Sequence, residues 1–188
     1  MFTEIDKVYR LLPYIIPNDV CDSLVELGES QPFEEATLHE TKTKNKRSSK
    51  VSWLKQNKKF EESLSKIMLD VNKEMKWNFR VKRFEPLQYA LYDVGDHYDW
   101  HVDSHTEPYA DKMIRKLSFT IFLNDGYEGG EFDLCIPYPK EGYHQTYTQP
   151  RMKGSMIIFP SFIWHKVRPV TKGIRKSLVG WTLGPNYV

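Results

Sequence analysis

The sequence predicts a mainly β domain with N-terminal helices (α+β), folded as a double-stranded β-helix or jelly roll, cupin-like, with the helices packed on one sheet. Three observations lead there. Apolar residues recur at helical spacing only before about residue 80. From about Val81 onward the pattern changes to short strands separated by turn residues. Aromatic residues make up 14% of the 188-residue chain, with 11 Tyr and 10 Phe, and these suit a pleated, half-buried surface.

The helices come first. Asn18 or Asp19 is positioned to cap a helix whose stripe is Val20, Leu24 and Leu27. A second helix carries Phe60, Leu64, Ile67, Met68, Val71 and Met75 at spacings of three and four. The polar stretch from His39 to Lys50 has no periodicity and reads as a loop. The candidate strands follow at 82–92, 98–103, 115–123, 130–136, 143–148, 155–159, 164–170 and 175–183. Turn signals lie between them at Val94-Gly95-Asp96, Asn124-Asp125-Gly126, Gly129-Gly130, Lys153-Gly154 and Lys172-Gly173. Many short strands at this spacing form sandwiches and barrels, and helices segregated ahead of strands argue against a doubly wound sheet. No repeat or low-complexity linker divides the chain. One domain is expected over 1–188, with helical support in about 1–80 and the jelly-roll core in about 81–188.

Hydrophobic residues make up 40% of the chain, which excludes a disordered composition. A net charge of +2 gives no global argument for nucleic acid or membrane. Two distant cysteines, Cys21 and Cys135, form neither a disulfide framework nor a paired metal knuckle. The opening residues carry early acids and no long apolar run, unlike a secretory signal, and no stretch approaches a membrane span. The expected setting is cytoplasmic.

Chemistry concentrates in Tyr98-Asp99-Trp100-His101-Val102-Asp103. On a strand, residues two apart share a face, so His101 and Asp103 would present an imidazole and a carboxylate side by side. His165, on a distant strand, is the natural third ligand. Two histidines and one carboxylate leave coordination positions open, which suits Fe(II) and O₂ chemistry better than a closed zinc site. A bare His-x-Asp is a frequent chance tripeptide, and His97 and His105 compete with His101. His97 sits in the turn around Gly95-Asp96 and is not favoured. His144 reads as a loop or strand-edge residue.

The residues around the motif extend the pattern. They run Tyr92-Asp93-Val94-Gly95, Tyr98 and His101-Val102-Asp103, then Arg115-Lys116-Leu117-Ser118, Phe122-Leu123-Asn124 and Gly129-Gly130-Glu131-Phe132. Gly154-Ser155-Met156-Ile157-Ile158-Phe159-Pro160, His165-Lys166-Val167, Pro169-Val170-Thr171, Gly173, Arg175 and Trp181 complete it. In order and spacing, the run from Leu87 to Gly184 resembles the prolyl 4-hydroxylase-like family of 2-oxoglutarate- and Fe(II)-dependent dioxygenases.

The resemblance implies an oxidoreductase that hydroxylates an unactivated C–H bond, most readily of peptidyl proline, and releases succinate and CO₂. It implies Fe(II), 2-oxoglutarate and O₂, with ascorbate as reductant. His101, Asp103 and His165 match the metal ligands. Arg175 matches the residue that pairs with the distal carboxylate of 2-oxoglutarate, and its planar fork suits a bidentate contact. Tyr92 matches a tyrosine that contacts 2-oxoglutarate. Phe122 lacks a hydroxyl that one branch of the family uses, and Ser118 or Thr120 on the same strand face are the candidates to replace it. Tyr98, Arg115 and Trp181 match contacts to the target proline; core packing is the competing reading for Tyr98 and Trp181.

The segment from Thr41 to Gln56 is a candidate lid or peptide-binding loop, and its lysines and Arg47 suit an acidic partner. The expected partner is a proline-containing peptide or protein, with no membrane or nucleic acid. Three alternatives stand. One is a hydroxylase of a free amino acid or other small molecule. Another is a nucleobase-demethylating dioxygenase, whose relatives carry a second arginine where this chain has Trp181. The third is a non-catalytic cupin-like binding module, against which an intact triad and Arg175 argue.

Overall fold

The computed structural model describes residues 8–36, 46–55, 57–105, 107–137, 144–149 and 152–186. Along the chain the elements are β1 (Arg10–Leu12), α1 (Asn18–Glu29), β2 (Glu34–Glu35), β3 (Arg47–Ser48), β4 (Lys50–Trp53), α2 (Lys58–Glu74), β5 (Arg83–Phe84), β6 (Gln88–Tyr92), β7 (His97–His101), β8 (Met113–Phe122), β9 (Glu128–Gly129), β10 (Phe132–Pro137), β11 (His144–Gln149), β12 (Met156–Pro160), β13 (Trp164–Val167), β14 (Val170–Lys172) and β15 (Arg175–Pro185). Among the described residues the larger sheet runs β1-β12-β8-β15-β6-β4-β2, with β5 joined to β15. The smaller runs β11-β10-β13-β7-β3, and β14 pairs with β9. Each pairing is antiparallel.

Period-two alternation along β8 and β12 sorts side chains into two layers. Leu117, Phe119, Ile121, Met156 and Ile158 face the helices and meet Cys21 and Leu24 of α1 and Leu64, Met68 and Val71 of α2. Phe122, Ile157 and Phe159 face the other way and meet Phe132, Leu134 and Val167 of the smaller sheet. Each such large apolar side chain contributes about 1.5–3 kcal/mol on burial. α1 lies close on β6 because Gly28 faces the Tyr89 ring, where any Cβ would collide. The expected jelly roll with helices on one sheet is thus the observed arrangement.

Several boundaries differ from the sequence reading. Pro17, not Asn18 or Asp19, occupies the N-cap of α1, with no side-chain cap; Asp19 lies inside the first turn. Asn57 caps α2, and its side chain accepts from the Phe60 N–H. The strand expected at 82–92 is broken between Phe84 and Gln88, where Pro86 has no N–H to donate. The strand expected at 164–170 ends at Val167, and the chain passes through Pro169 to β14, which pairs elsewhere.

The stretch read as a loop from His39 to Lys50 contains β3 and the first residue of β4. Its residues 39–45 lie outside the described residues, as do 41–45 and Gln56 of the candidate lid and residue 143 of a candidate strand. β3 pairs with β7, β4 with β6 and β1 with β12. The segment before residue 80 therefore supplies strands to both sheets as well as helices, and residue 80 marks no structural boundary. No described helix is long and apolar enough to cross a membrane. Both cysteines are free.

Candidate active site

β7 and β13 are neighbours in the smaller sheet, and their register sets His101 directly opposite His165. Asp103 arrives differently from the sequence expectation. β7 ends at His101, so Asp103 is not the next same-face residue of a strand; it sits in the bend that follows. The Asp103 and Ser104 N–H groups both donate to the Ser161 carbonyl at 2.9 Å, which fixes that bend against the turn between β12 and β13. The Asp103 carboxylate oxygens then lie 3.8 Å from His101 Nε2 and 3.4 Å from His165 Nε2. One ligand atom from each residue falls within 4.8 Å of the other two.

The far side of each imidazole fixes its tautomer. His101 Nδ1 lies 2.8 Å from the Asp99 carbonyl and His165 Nδ1 lies 2.9 Å from the Ile163 carbonyl. A carbonyl only accepts, so each Nδ1 carries a proton and each Nε2 is the ring atom turned toward Asp103. Burial, and next the neighbouring His165, holds His101 well below its ordinary pKa and keeps it neutral. Burial opposes ionisation of Asp103, but His165, His101, Arg115 and the Ser118 hydroxyl outweigh it and hold the carboxyl well below the usual carboxylate range. Two Nε2 atoms and a carboxylate oxygen thus converge on one point. Two imidazoles with one carboxylate fit a first-row divalent metal with positions to spare.

His97 and His105 lie outside this cluster. His97 Nδ1 is 3.3 Å from the Gly95 carbonyl, and exposed His105 packs edge-on to Tyr109. His144 lies on β11, at the edge of the smaller sheet.

Arg175 opens β15 and points into the same cavity, whose volume is about 540 Å³. It is only 1% exposed, yet no carboxylate pairs with it among the described residues. Its Nη1 donates to Ser177 Oγ at 2.9 Å, while its Nε has no partner. The Thr120 hydroxyl, buried on the cavity wall, also lacks a partner. Tyr92, opposite Arg175 in register, lies beneath the guanidinium at 5.0 Å, and Phe122 lies at 5.7 Å. A buried, unpaired guanidinium is costly and marks a place for an anion. Arg175 and the triad line this one cavity, which is of a size that takes small-molecule ligands. Of the two hydroxyls considered for the gap left by Phe122, Thr120 faces the cavity. Ser118 is hydrogen-bonded to Ser161 Oγ at 3.0 Å and reaches Asp103 instead.

Tyr98 stacks on His101 with ring centroids 3.4 Å apart. Arg115 lies 3.9 Å above the Trp181 ring and is clamped by both oxygens of Glu85, at 2.9 and 2.6 Å. Tyr92, Tyr98, Arg115 and Trp181 all line the cavity. The sequence reading missed Glu85, Ser161 and Ser177. Only Ser177 carried a signal, two residues beyond Arg175 on the same strand face.

Comparison with known proteins adds the family. A PKHD-type hydroxylase of Rippkaea orientalis is 34% identical over 122 residues, covering 64% of this chain and 52% of that protein. Another from a Synechococcus strain is 36% identical over 104 residues, covering 54% and 42%. The chain thus spans about half the length of the curated relatives it matches. A prolyl-4-hydroxylase from Pseudomonas putida superposes with a TM-score of 0.74 at 18% identity, covering 95% of this chain and 94% of that one. A prolyl hydroxylase from Trichoplax adhaerens, solved with a hypoxia inducible factor peptide fragment, gives 0.73 at 17%, covering 95% and 84%. At such identities the likeness is one of fold. The family model described as the 2OG-Fe(II) oxygenase superfamily matches residues 87–183, a span that holds the triad, Tyr92 and Arg175 and exceeds half of the chain. With that match, the converging donors and the unpaired arginine have a common origin: the chain belongs to the 2OG-Fe(II) oxygenase superfamily.

Proposed function

We propose that this protein is an Fe(II)- and 2-oxoglutarate-dependent dioxygenase that hydroxylates a C–H bond of a peptidyl proline. The overall change is substrate C–H, O₂ and 2-oxoglutarate to C–OH, succinate and CO₂. The observation that carries this reading is the pairing, in one cavity, of three converging candidate metal donors with a buried guanidinium that has no carboxylate partner among the described residues.

His101, Asp103 and His165 would hold the iron. When bound, the metal supplies the capacity to activate O₂ with electrons drawn from 2-oxoglutarate. Arg175 would take the distal carboxylate of 2-oxoglutarate, with the Thr120 hydroxyl and Tyr92 beside it. The Asp99 and Ile163 carbonyls hold the imidazoles in the liganding tautomer. Tyr98, and Arg115 stacked on Trp181, form the wall on which a substrate ring would rest. The proline assignment is supported by the hydroxylase names of the relatives and by the shared fold of the prolyl hydroxylases. Ascorbate belongs in the assay as a reductant for adventitiously oxidised iron.

The test is incubation with Fe(II), 2-oxoglutarate, ascorbate and a panel of proline-containing peptides, with mass spectrometry for a gain of one oxygen and for succinate. His101→Ala and Asp103→Ala should lose both signals. Succinate formation at the wild-type rate by either variant would overturn the ligand assignment.

A further inference from the structure

Among the described residues, the charges around the cavity balance except at its rim. Asp103 and Arg175 offset one another, and the two charges of a bound divalent metal match those of a bound dicarboxylate. Arg115 has its partner in Glu85 at 2.6 Å. Lys46 and Arg47 also line the cavity, and neither has an ion pair among the described residues.

The backbone of both residues is held against β7, and the Arg47 side chain is anchored as well. Arg47 lies opposite Tyr98 in the β3–β7 register, and the Asp99 N–H donates to the Lys46 carbonyl at 2.8 Å. The Arg47 side chain donates from Nε to Ser49 Oγ at 2.9 Å and from Nη2 to Gln88 Oε1 at 3.3 Å. Its guanidinium sits 4.5 Å above the Tyr98 ring, which in turn stacks on His101. Nη1 has no hydrogen-bond partner among the described residues. A solvated surface arginine has no need of two polar anchors and an aromatic floor. This one is a preorganised donor, one ring away from a metal ligand. Trp53 and Trp164 line the same cavity while 40% and 49% exposed. Exposed indoles at a cavity mouth are flat platforms of the kind on which proline-rich segments dock.

We propose that Lys46 and Arg47 receive a carboxylate of the substrate, so that the protein selects a proline with an acidic side chain beside it. This inference rests on the oxygenase reading above and specifies its substrate. An uncompensated positive rim draws an acidic segment in and repels a basic one, and the fixed guanidinium supplies a directional contact once it arrives. The α-carboxylate of a free amino acid offers the same chemistry and is the other source to be tested.

The experiment uses the Fe(II)- and 2-oxoglutarate-loaded protein with three capped peptides that differ only beside the proline, carrying Asp, Asn or Lys, and with free L-proline. kcat/KM is read from oxygen incorporation. The Asp peptide should exceed the Asn peptide by roughly tenfold, the worth of one charge-assisted contact. Added salt should compress that ratio. Arg47→Glu should invert the order of the Asp and Lys peptides, and Lys46→Glu should shift it the same way. Each ratio is taken on one protein sample, so partial unfolding lowers both rates without reversing them. Equal rates for the Asp and Asn peptides in the wild type would overturn the inference while leaving the oxygenase reading intact, as would an unchanged order in Arg47→Glu. Preference for free L-proline, lost in Arg47→Glu, would support the carboxylate site with the amino acid as its source. Oxidation of none of these substrates, with 2-oxoglutarate still bound, would overturn both the proline assignment and this inference.

Discussion

The Asp103 N–H donates to the Ser161 carbonyl at 2.9 Å, which ties the one acidic donor of the triad to the turn that leads into β13 and His165. Ser118 adds to the tie, since its hydroxyl donates to Ser161 Oγ at 3.0 Å and its polarity helps keep the Asp103 carboxyl ionised. Ser118→Ala removes the side-chain part of this support. Metal affinity, read by Co(II) or Mn(II) titration, should fall roughly 10–100-fold. Stability to urea should fall by only about 1 kcal/mol. Wild-type metal affinity in Ser118→Ala would mean that the backbone bonds alone orient the carboxylate.

Arg175→Met separates the cost of the buried cation from its use. Without ligand, the variant should be as stable as the wild type or more so, because an unpaired buried charge is replaced by an apolar chain of similar length. With 2-oxoglutarate and Mn(II) the order reverses. The wild type gains about 2.7 kcal/mol at a ligand concentration 100-fold above Kd, and Arg175→Met gains far less. Thermal unfolding with and without 2-oxoglutarate measures both arms. An equal ligand-induced shift in the two proteins removes Arg175 from the anion site.

Gly130 has φ +61°, and a Cβ there would lie 2.9 Å from Arg175 Cδ. Gly130→Ala therefore combines backbone strain with a push on the arginine stem. The expected loss is about 1 kcal/mol or more of stability, together with a weaker 2-oxoglutarate affinity. Gly95, also at positive φ but with nothing near its would-be Cβ, is the control. Gly95→Ala should lose stability and keep 2-oxoglutarate affinity, as isothermal titration with Mn(II) present would report.

Neutral His101 gives the metal-free protein a pH signature. Its folded pKa lies below the ordinary value of 6.5, so on acidification the unfolded chain takes up the proton first. The associated stability is fully present above 6.5 and is lost as the pH falls from there toward the folded value. The slope approaches about 1.4 kcal/mol per pH unit over that window. Urea midpoints measured across it, with His101→Gln as the flattened reference, test the sign. A His101→Gln protein with the wild-type slope would place the proton uptake elsewhere.

The candidate ligand set could be picked out because His101, Asp103, His165 and Arg175 carry their chemistry in their side chains and stand in an ordered series; the structure brings the four to one cavity. The geometry that unites them was only partly so. The sequence suggests a strand running through Asp103, whereas a bend held by Ser161 presents the carboxylate. Ser161 and Glu85 act through partners 43 or more and 30 residues away, respectively, counting from Ser118 to Ser161 and from Glu85 to Arg115, and only the register of distant strands brings those together. β3 and the start of β4 were missed for a related reason. A two-residue edge pairing uses backbone donors and acceptors, so polar side chains leave it without a periodic trace. The large sheets and the helix stripe were visible because their apolar alternation continues over many residues.

Between β3 and β4 the chain crosses from the smaller sheet to the larger with only Ser49 intervening. That crossing carries Lys46, Arg47 and Trp53 to the cavity and contributes none of the three candidate metal donors. On the proposed function, mutational drift in this strap would redirect the oxidising centre to new targets while leaving its chemistry intact, which makes it the natural stretch for retargeting by design.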